Sequence, residues 1–427
     1  MMNVLIQTVG SRGDVEPYVA LGQGLARAGH QVTVNTADRF QGFVEDCGLG
    51  YAYLNSELVD LLDTELGRGA LEDMGSFFSA LKTVPRLSRA SADLQRSMLA
   101  EGWTAAESIR PDLIVFNSKM AGNHYAEKLG IPAVLAMPLP QFVPTGEFPS
   151  LGFPDFSGAR RLNLLSYRFV HAVARRVGGK HIRAWRQAVK LPDHQRLGIH
   201  ERADGQATPI VHCFSEAVVP RPADWPAEAQ VTGYWFLDQP DDWSPPEPLV
   251  RFLEAGPAPV HVGFGSMAGR NPARTTAIVL EAIERTGQRC VLVTGWGGLT
   301  PEAVPNNVFV IDAVRYDWLM PRVAATVHHG GAGTTAAGLR AGRPTVICPF
   351  FGDQPFWGRR AQALGVGPAP VPQKKLTAER LAQAIDSVCG DQALQQRAEA
   401  LGARIREEDG IGRAVTLLEQ LVQPARA

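Results

Sequence analysis

Short apolar runs alternate with longer amphipathic segments along most of the chain. It opens on Val4-Leu5-Ile6-Gln7-Thr8-Val9, apolar and β-branched enough for a buried strand. The turn Gly10-Ser11-Arg12-Gly13-Asp14 follows, then apolar residues at helical spacing over 15–28, stopped by Gly29, and a second strand over 31–35. Strand, glycine turn, helix, strand is how a doubly wound parallel sheet begins. The same order returns over 259–293, with strands at 260–264 and 289–293, a turn at Gly265-Ser266 and a helix over 275–286. Runs at 112–116, 133–137 and 210–214 extend the first sheet, and runs at 308–311, 325–328 and 345–348 the second. The pattern predicts an α/β chain of two Rossmann-like domains, 1–235 and 236–427. The proline-rich, acidic stretch 233–248 serves as the linker. Two such sheets facing across a cleft would place two sets of strand ends around one ligand.

Composition narrows the partners. At 427 residues the chain is too long for one ordinary core, and 45% apolar with 20% charged residues is the balance of a globular protein. A formal net charge of −1 gives nucleic acid no electrostatic footprint. Cys47, Cys213, Cys290, Cys348 and Cys389 form no C-x-x-C and suit reduced, mostly buried thiols. No apolar stretch approaches the ~20 residues needed to span a bilayer, and residues 1–10 lack the plan of a secretory signal. The expected location is the cytoplasm or the cytoplasmic face of a membrane. Residues 159–190 bear on the second choice. They hold nine Arg or Lys and no Asp or Glu, interleaved with Leu162, Leu165, Phe169 and Trp185. That stretch suits either a solvated helical face or peripheral contact with anionic lipid.

The densest candidate chemistry is His328-His329-Gly330-Gly331-Ala332-Gly333-Thr334-Thr335, after a strand and entering a helix. Glycines admit a ligand close to the backbone, and a helix N-terminus offers free N–H groups with a partial positive charge. A diphosphate fits there, with a histidine as an added donor; a glycine-rich turn over a core histidine has the same wording. Downstream, Asp353-Gln354 among Phe350, Phe351, Phe356 and Trp357 can exchange hydrogen bonds with sugar hydroxyls, or form a solvated loop over the core. Gly263-x-Gly265-x-x-Ala268 formally fits a dinucleotide fingerprint, but the next strand ends in Thr294-Gly295 without the acidic residue that a ribose needs.

Residues 328–360 resemble the nucleotide-sugar signature of family-1 glycosyltransferases of GT-B fold, with the wording of the sterol 3β-glucosyltransferase branch and of bacterial antibiotic glycosyltransferases. Gly10-Ser11-Arg12-Gly13-Asp14-Val15-Glu16-Pro17, Pro144-Thr145-Gly146-Glu147-Phe148-Pro149 and Asp317-Trp318-Leu319 extend the resemblance over nearly the whole chain. It implies that His329 contacts the donor diphosphate, joined by Gly331, Gly333 and Thr334, with Ser266, Ser11 and Arg12 also reaching phosphate. It places Asp353 and Gln354 on the sugar and the base near Val314. Where plant members carry a ribose-binding glutamate this chain has Ala337, which leaves UDP and dTDP both open. Plant members set a catalytic histidine in the frame where Asp14 stands here, so the resemblance makes Asp14 the general base. The competing reading of Asp14 is a helix cap. A carboxylate is a weak base towards an alcohol, which calls for burial in the cleft.

The expected reaction moves a hexose, glucose in the first instance, from a UDP-sugar to a hydroxyl of a lipophilic polycyclic acceptor such as a sterol, with inversion to a β-glycoside. The alternative is a UDP- or dTDP-sugar transferase acting on a polyketide, macrolide or phenol. No Asp-x-Asp occurs in the chain, so no metal or other cofactor is expected. Phe77, Phe78, Phe142 and Phe148 mark the region expected to meet the acceptor. A non-catalytic partner of another transferase and a nucleotide-sugar 2-epimerase are the rival functions.

Overall fold

The computed structural model describes residues 1–55, 57, 92–154, 156, 158–192, 208–237, 243–265, 271–295, 299 and 304–422, in two units. In the first unit, β1 (Asn3–Gln7), β2 (Gln31–Ala37), β3 (Gly50–Leu54), β4 (Leu113–Phe116), β5 (Ala133–Met137), β6 (Ile210–His212) and β7 (Ala229–Val231) form one sheet. Its order is β3-β2-β1-β4-β5-β6-β7, and every pairing is parallel. β1 and β4 are buried along most or all of their length, as strands covered on both faces must be. The second unit repeats the plan with β8 (Val260–Gly263), β9 (Cys290–Val293), β10 (Val308–Ile311), β11 (Ala325–His328) and β12 (Thr345–Ile347). These run in the order β10-β9-β8-β11-β12, again all parallel. The runs singled out in the sequence are all strands, and β3 and β7 add to them.

Each sheet reverses its winding once, between β1 and β4 in the first unit and between β8 and β11 in the second. At such a point the connections from neighbouring strands leave in opposite directions and open a crevice beyond the carboxyl ends. The loops after these four strands carry most of the candidate chemistry, and those after β10 and β12 add Val314, Asp353 and Gln354.

The division of the chain differs from the expected boundary in two ways. Residues 234–237 belong to the first unit's core: Trp235 and Leu237 are buried, and Trp235 lies edge-on to Tyr18 and donates to Thr232 Oγ1 at 3.1 Å. Aromatics outweighed the proline-rich signal there. The last helix, Gly410–Val422, also returns to the first unit rather than ending the second. It packs on helix Arg12–Arg27 so closely that a Cβ at Gly24 would overlap Ile411, and Ala414, Val415 and Leu418 join the core. His30 Nε2 meets Glu419 at 2.9 Å while its Nδ1 accepts from Met2 N.

The basic stretch forms the helix Arg160–Ala188. Buried Arg186 ties it to helix Gly122–Leu129 through a two-pronged ion pair with Glu127, at 2.6 and 2.8 Å. Along its outer side Arg161, Leu162, Leu165, Arg168, Phe169, Arg176 and Lys180 are exposed. Among the described residues no helix is long and apolar enough to cross a membrane.

Candidate active site

In the first unit the site begins with the capping of helix Arg12–Arg27. Ser11 is the N-cap, and Asp14, three residues on, accepts on Oδ2 from Ser11 N at 2.8 Å and Ser11 Oγ at 3.1 Å. The N-cap is therefore Ser11 rather than Asp14, which sits at the third helical position and closes a capping box. The other carboxylate oxygen, Oδ1, lies 3.0 Å from Lys119 Nζ, on the loop after β4. Asp14 is a third exposed, so it is held by charge and hydrogen bonds rather than by an apolar pocket. Gly10 makes the approach possible. Its φ is +144°, and a Cβ there would overlap both the Asp14 carboxylate and Lys119 Nζ. Beneath this pair Asn117 knits the two loops together. Its amide donates to Thr8 Oγ1 and Val9 O at 3.0 Å each, its Oδ1 accepts from Lys119 N, and Thr8 Oγ1 donates to Asp14 O at 2.7 Å. Arg12 turns elsewhere, donating to Glu16 at 2.8 Å with its guanidinium over the Phe43 ring. No motif in the sequence singles out Lys119; the adjacency of β1 and β4 is what brings it to the site.

In the second unit, β11 ends in His328 and the chain turns through His329, Gly330 and Gly331 into helix Ala332–Arg340. His328 is buried and structural. Its Nδ1 accepts from Gly330 N at 3.0 Å, which leaves the proton on Nε2 to donate to Thr345 Oγ1 at 2.8 Å. That pins the turn to β12. Gly331 is the helix N-cap, and the first intrahelical bond runs from Thr335 N, so the N–H groups of Ala332, Gly333 and Thr334 have no helical partner. A Cβ at Gly331 would sit only 2.5 Å from His329 Nε2, while His329 Nδ1 is buried without a hydrogen-bond partner. An orphaned buried nitrogen beside free helix N–H groups and an N-terminal dipole is suited to an anion.

Gly330, at φ +93°, joins the two motifs of this unit. A Cβ there would press on Ile347 and on Gln354 O at 3.2 Å. Gln354 Oε1 accepts from Phe350 N and Phe351 N at 2.8 and 3.3 Å, which orients its amide, and Asp353 Oδ2 accepts from Trp357 Nε1 at 2.8 Å. Gly265, after β8, would bring a Cβ within 3.8 Å of His329 Cε1. Val314 lies half-buried on a loop tied to β9, where Thr294 Oγ1 donates to Asp312 Oδ1 at 2.7 Å and Gly295 N to Asp312 O at 3.0 Å. His329, Gly331, Gly333, Thr334, Asp353 and Gln354 are therefore gathered at this edge of the second sheet. Ser266, Phe77 and Phe78 lie outside the described residues. Phe142 and Phe148 are half-buried, and Phe142 holds an unusual φ of +72° while stacking on His171, whose Nε2 donates to its carbonyl at 3.1 Å.

Burial keeps a set of histidines neutral. It pushes His212 and His329 down to about 4 and His261 to about 3, and it lowers His328 well below its ordinary value, helped by His329 and His261. The unfolded chain takes up these protons near pH 6.5 and the folded chain does not. Folded stability is accordingly complete above about pH 6.5 and falls as pH drops towards about 4. Each ring that must stay neutral costs on the order of 1.4 kcal/mol for every tenfold rise in proton concentration across that window. Urea midpoints should fall steeply over the same range. In His261→Leu, which removes a ring with neither nitrogen bonded, the fall should be shallower. An unchanged slope would exclude His261 from the effect.

Comparison with known proteins agrees with this geometry. Residues 4–145 match the glycosyltransferase family 28 N-terminal domain. Residues 292–409 match the erythromycin biosynthesis protein CIII-like C-terminal domain. The sterol 3-beta-glucosyltransferase UGT80A2 of Arabidopsis thaliana is 35% identical over 432 residues, covering 97% of this chain and 64% of that protein. The sterol 3-beta-glucosyltransferase of Neosartorya fischeri is 33% identical over 443 residues, covering 100% of this chain and 30% of that protein. The chain thus spans under two thirds of the plant relative's length and under a third of the fungal one's. Among solved structures, the kitacinnamycin glycotransferase superposes with a TM-score of 0.72 at 21% identity, over 99% of both chains. The glycosyltransferase VinC, in complex with dTDP, superposes at 0.68 and 18%, again over 99% of both. The chain carries a family 28 glycosyltransferase N-terminal domain and an erythromycin-CIII-like C-terminal domain, in the two-Rossmann GT-B fold.

Proposed function

We propose that this chain is an inverting glycosyltransferase that moves a hexose from a nucleoside diphosphate to the hydroxyl of a lipophilic polycyclic alcohol, a sterol before a polyketide or macrolide. The observation that carries it is the turn from His329 to Thr334, where an unpartnered buried histidine nitrogen and free helix N–H groups converge beside Asp353 and Gln354. Those donors suit a diphosphate leaving group, and the carboxylate and amide suit the sugar hydroxyls. Asp14 takes the proton of the acceptor hydroxyl as its oxygen attacks the anomeric carbon. The bond from that carbon to the diphosphate breaks, and the diphosphate leaves with the electron pair. A single displacement inverts the centre, so an α-linked donor gives a β-glycoside. His329 and the helix N-terminus receive the developing charge, and the step needs no metal. The sterol preference rests on sterol 3-beta-glucosyltransferases that align with 97% and 100% of this chain.

The test offers UDP-glucose and dTDP-glucose to the protein with sterols, macrolides and flavonoids, in chelator. The sterols are presented in vesicles with and without anionic lipid. A β-glucoside formed from UDP-glucose and a sterol is expected. Faster transfer from anionic vesicles would implicate the exposed arginines and leucines of helix Arg160–Ala188 in seating the protein on lipid. Nucleotide release without a new glycoside would overturn the assignment of transfer.

A further inference from the structure

We infer that Lys119 is a positioning residue for Asp14, and that it selects Oδ1 as the oxygen that receives the acceptor's proton. This rests on Asp14 being the base. A carboxylate oxygen offers about two lone-pair directions. On Oδ2 both are taken, by Ser11 N at 2.8 Å and Ser11 Oγ at 3.1 Å. On Oδ1 the one partner among the described residues is Lys119 Nζ at 3.0 Å, so Oδ1 keeps a lone pair for a substrate hydroxyl. The ammonium can continue to donate to Oδ1 after the proton arrives, because a protonated carboxyl oxygen retains acceptor capacity. In the same step the acceptor oxygen bonds to the anomeric carbon, and the sugar–diphosphate bond breaks with its electron pair going to the diphosphate.

The surroundings are built to hold this arrangement. Gly10, at φ +144°, leaves the space in which the carboxylate and the ammonium meet. Asn117 fixes the Lys119 backbone on one side and Thr8 on the other, and Thr8 in turn donates to the Asp14 carbonyl at 2.7 Å. These contacts connect the loops after β1 and β4 at the first sheet's reversal point. Lys119 is half exposed, so an apolar replacement will not disturb a core.

Lys119→Met should lower kcat by on the order of 10- to 100-fold, as a misplaced reacting group does, with KM for donor and acceptor unchanged. Lys119→Arg should recover part of the loss. Adding Lys119→Met to Asp14→Asn should cost nothing further, because the two residues act as a unit. A full kcat in Lys119→Met overturns the inference, as does a raised KM with kcat intact, which would make the lysine a substrate ligand. The two assignments fail separately. An active Asp14→Asn removes the base itself, whereas an inactive Asp14→Asn beside a fully active Lys119→Met removes the role of Lys119 alone.

Discussion

Asp14→Asn should abolish most transfer, by about 10²- to 10⁴-fold, while the donor nucleotide binds as before. The substitution keeps the shape of the side chain and an acceptor for Ser11 N, so the first turn of helix Arg12–Arg27 stays capped. It removes the charge that pairs with Lys119 and the capacity to take a proton. An unchanged melting temperature with lost turnover separates catalysis from capping, and calorimetry with UDP or dTDP checks that the donor site is intact. Asp14→Ala is the less informative variant, since it loses the cap as well. Wild-type turnover in Asp14→Asn would assign the proton to another group.

His329→Ala should lower kcat by about 10²- to 10³-fold, the usual cost of removing one donor to a developing oxyanion. A pH signature accompanies it. Burial pushes His329 down to about 4, so the ring is neutral at pH 7 before a ligand arrives. A diphosphate placed against it favours the protonated form, so the complex holds more protons than its free components. Donor affinity should therefore rise as pH falls from 7 towards about 5, with proton uptake visible as a dependence of the binding heat on the buffer. His329→Ala should lose both. Uptake that persists in the variant would place the proton elsewhere, and full turnover would remove His329 from the leaving-group site.

The two sheets were legible because parallel strands covered on both faces are continuous apolar runs, and glycine turns mark their carboxyl ends. The glycine motif was legible through its composition. Glycines cluster where a side chain would have no room, and Gly330 lies close against Ile347 and Gln354 and Gly331 against His329. Lys119 was not legible, because nothing in Asn117-Ser118-Lys119-Met120 distinguishes it until β4 is known to lie beside β1. Asp14 fits the sequence pattern of an N-cap, but the cap is Ser11, because the helix starts three residues earlier and Asp14 accepts from Ser11 N instead. Residues 234–237 were misassigned to a linker because proline and acidic residues nearby outweighed Tyr234 and Trp235, which are buried. The return of helix Gly410–Val422 is a contact across almost the whole chain, which local periodicity does not encode.

That return bears on the order in which the protein is made. Helix Arg12–Arg27 is synthesised before the second unit, but the side chains that cover it around Gly24, namely Ile411, Val415 and Leu418, follow only after that unit. The second unit's described residues all lie between 243 and 408 and have no such wait. All of its described strands are made while the first unit still exposes an apolar strip on the helix that begins beside Asp14. During synthesis that strip is the surface most in need of shielding from aggregation.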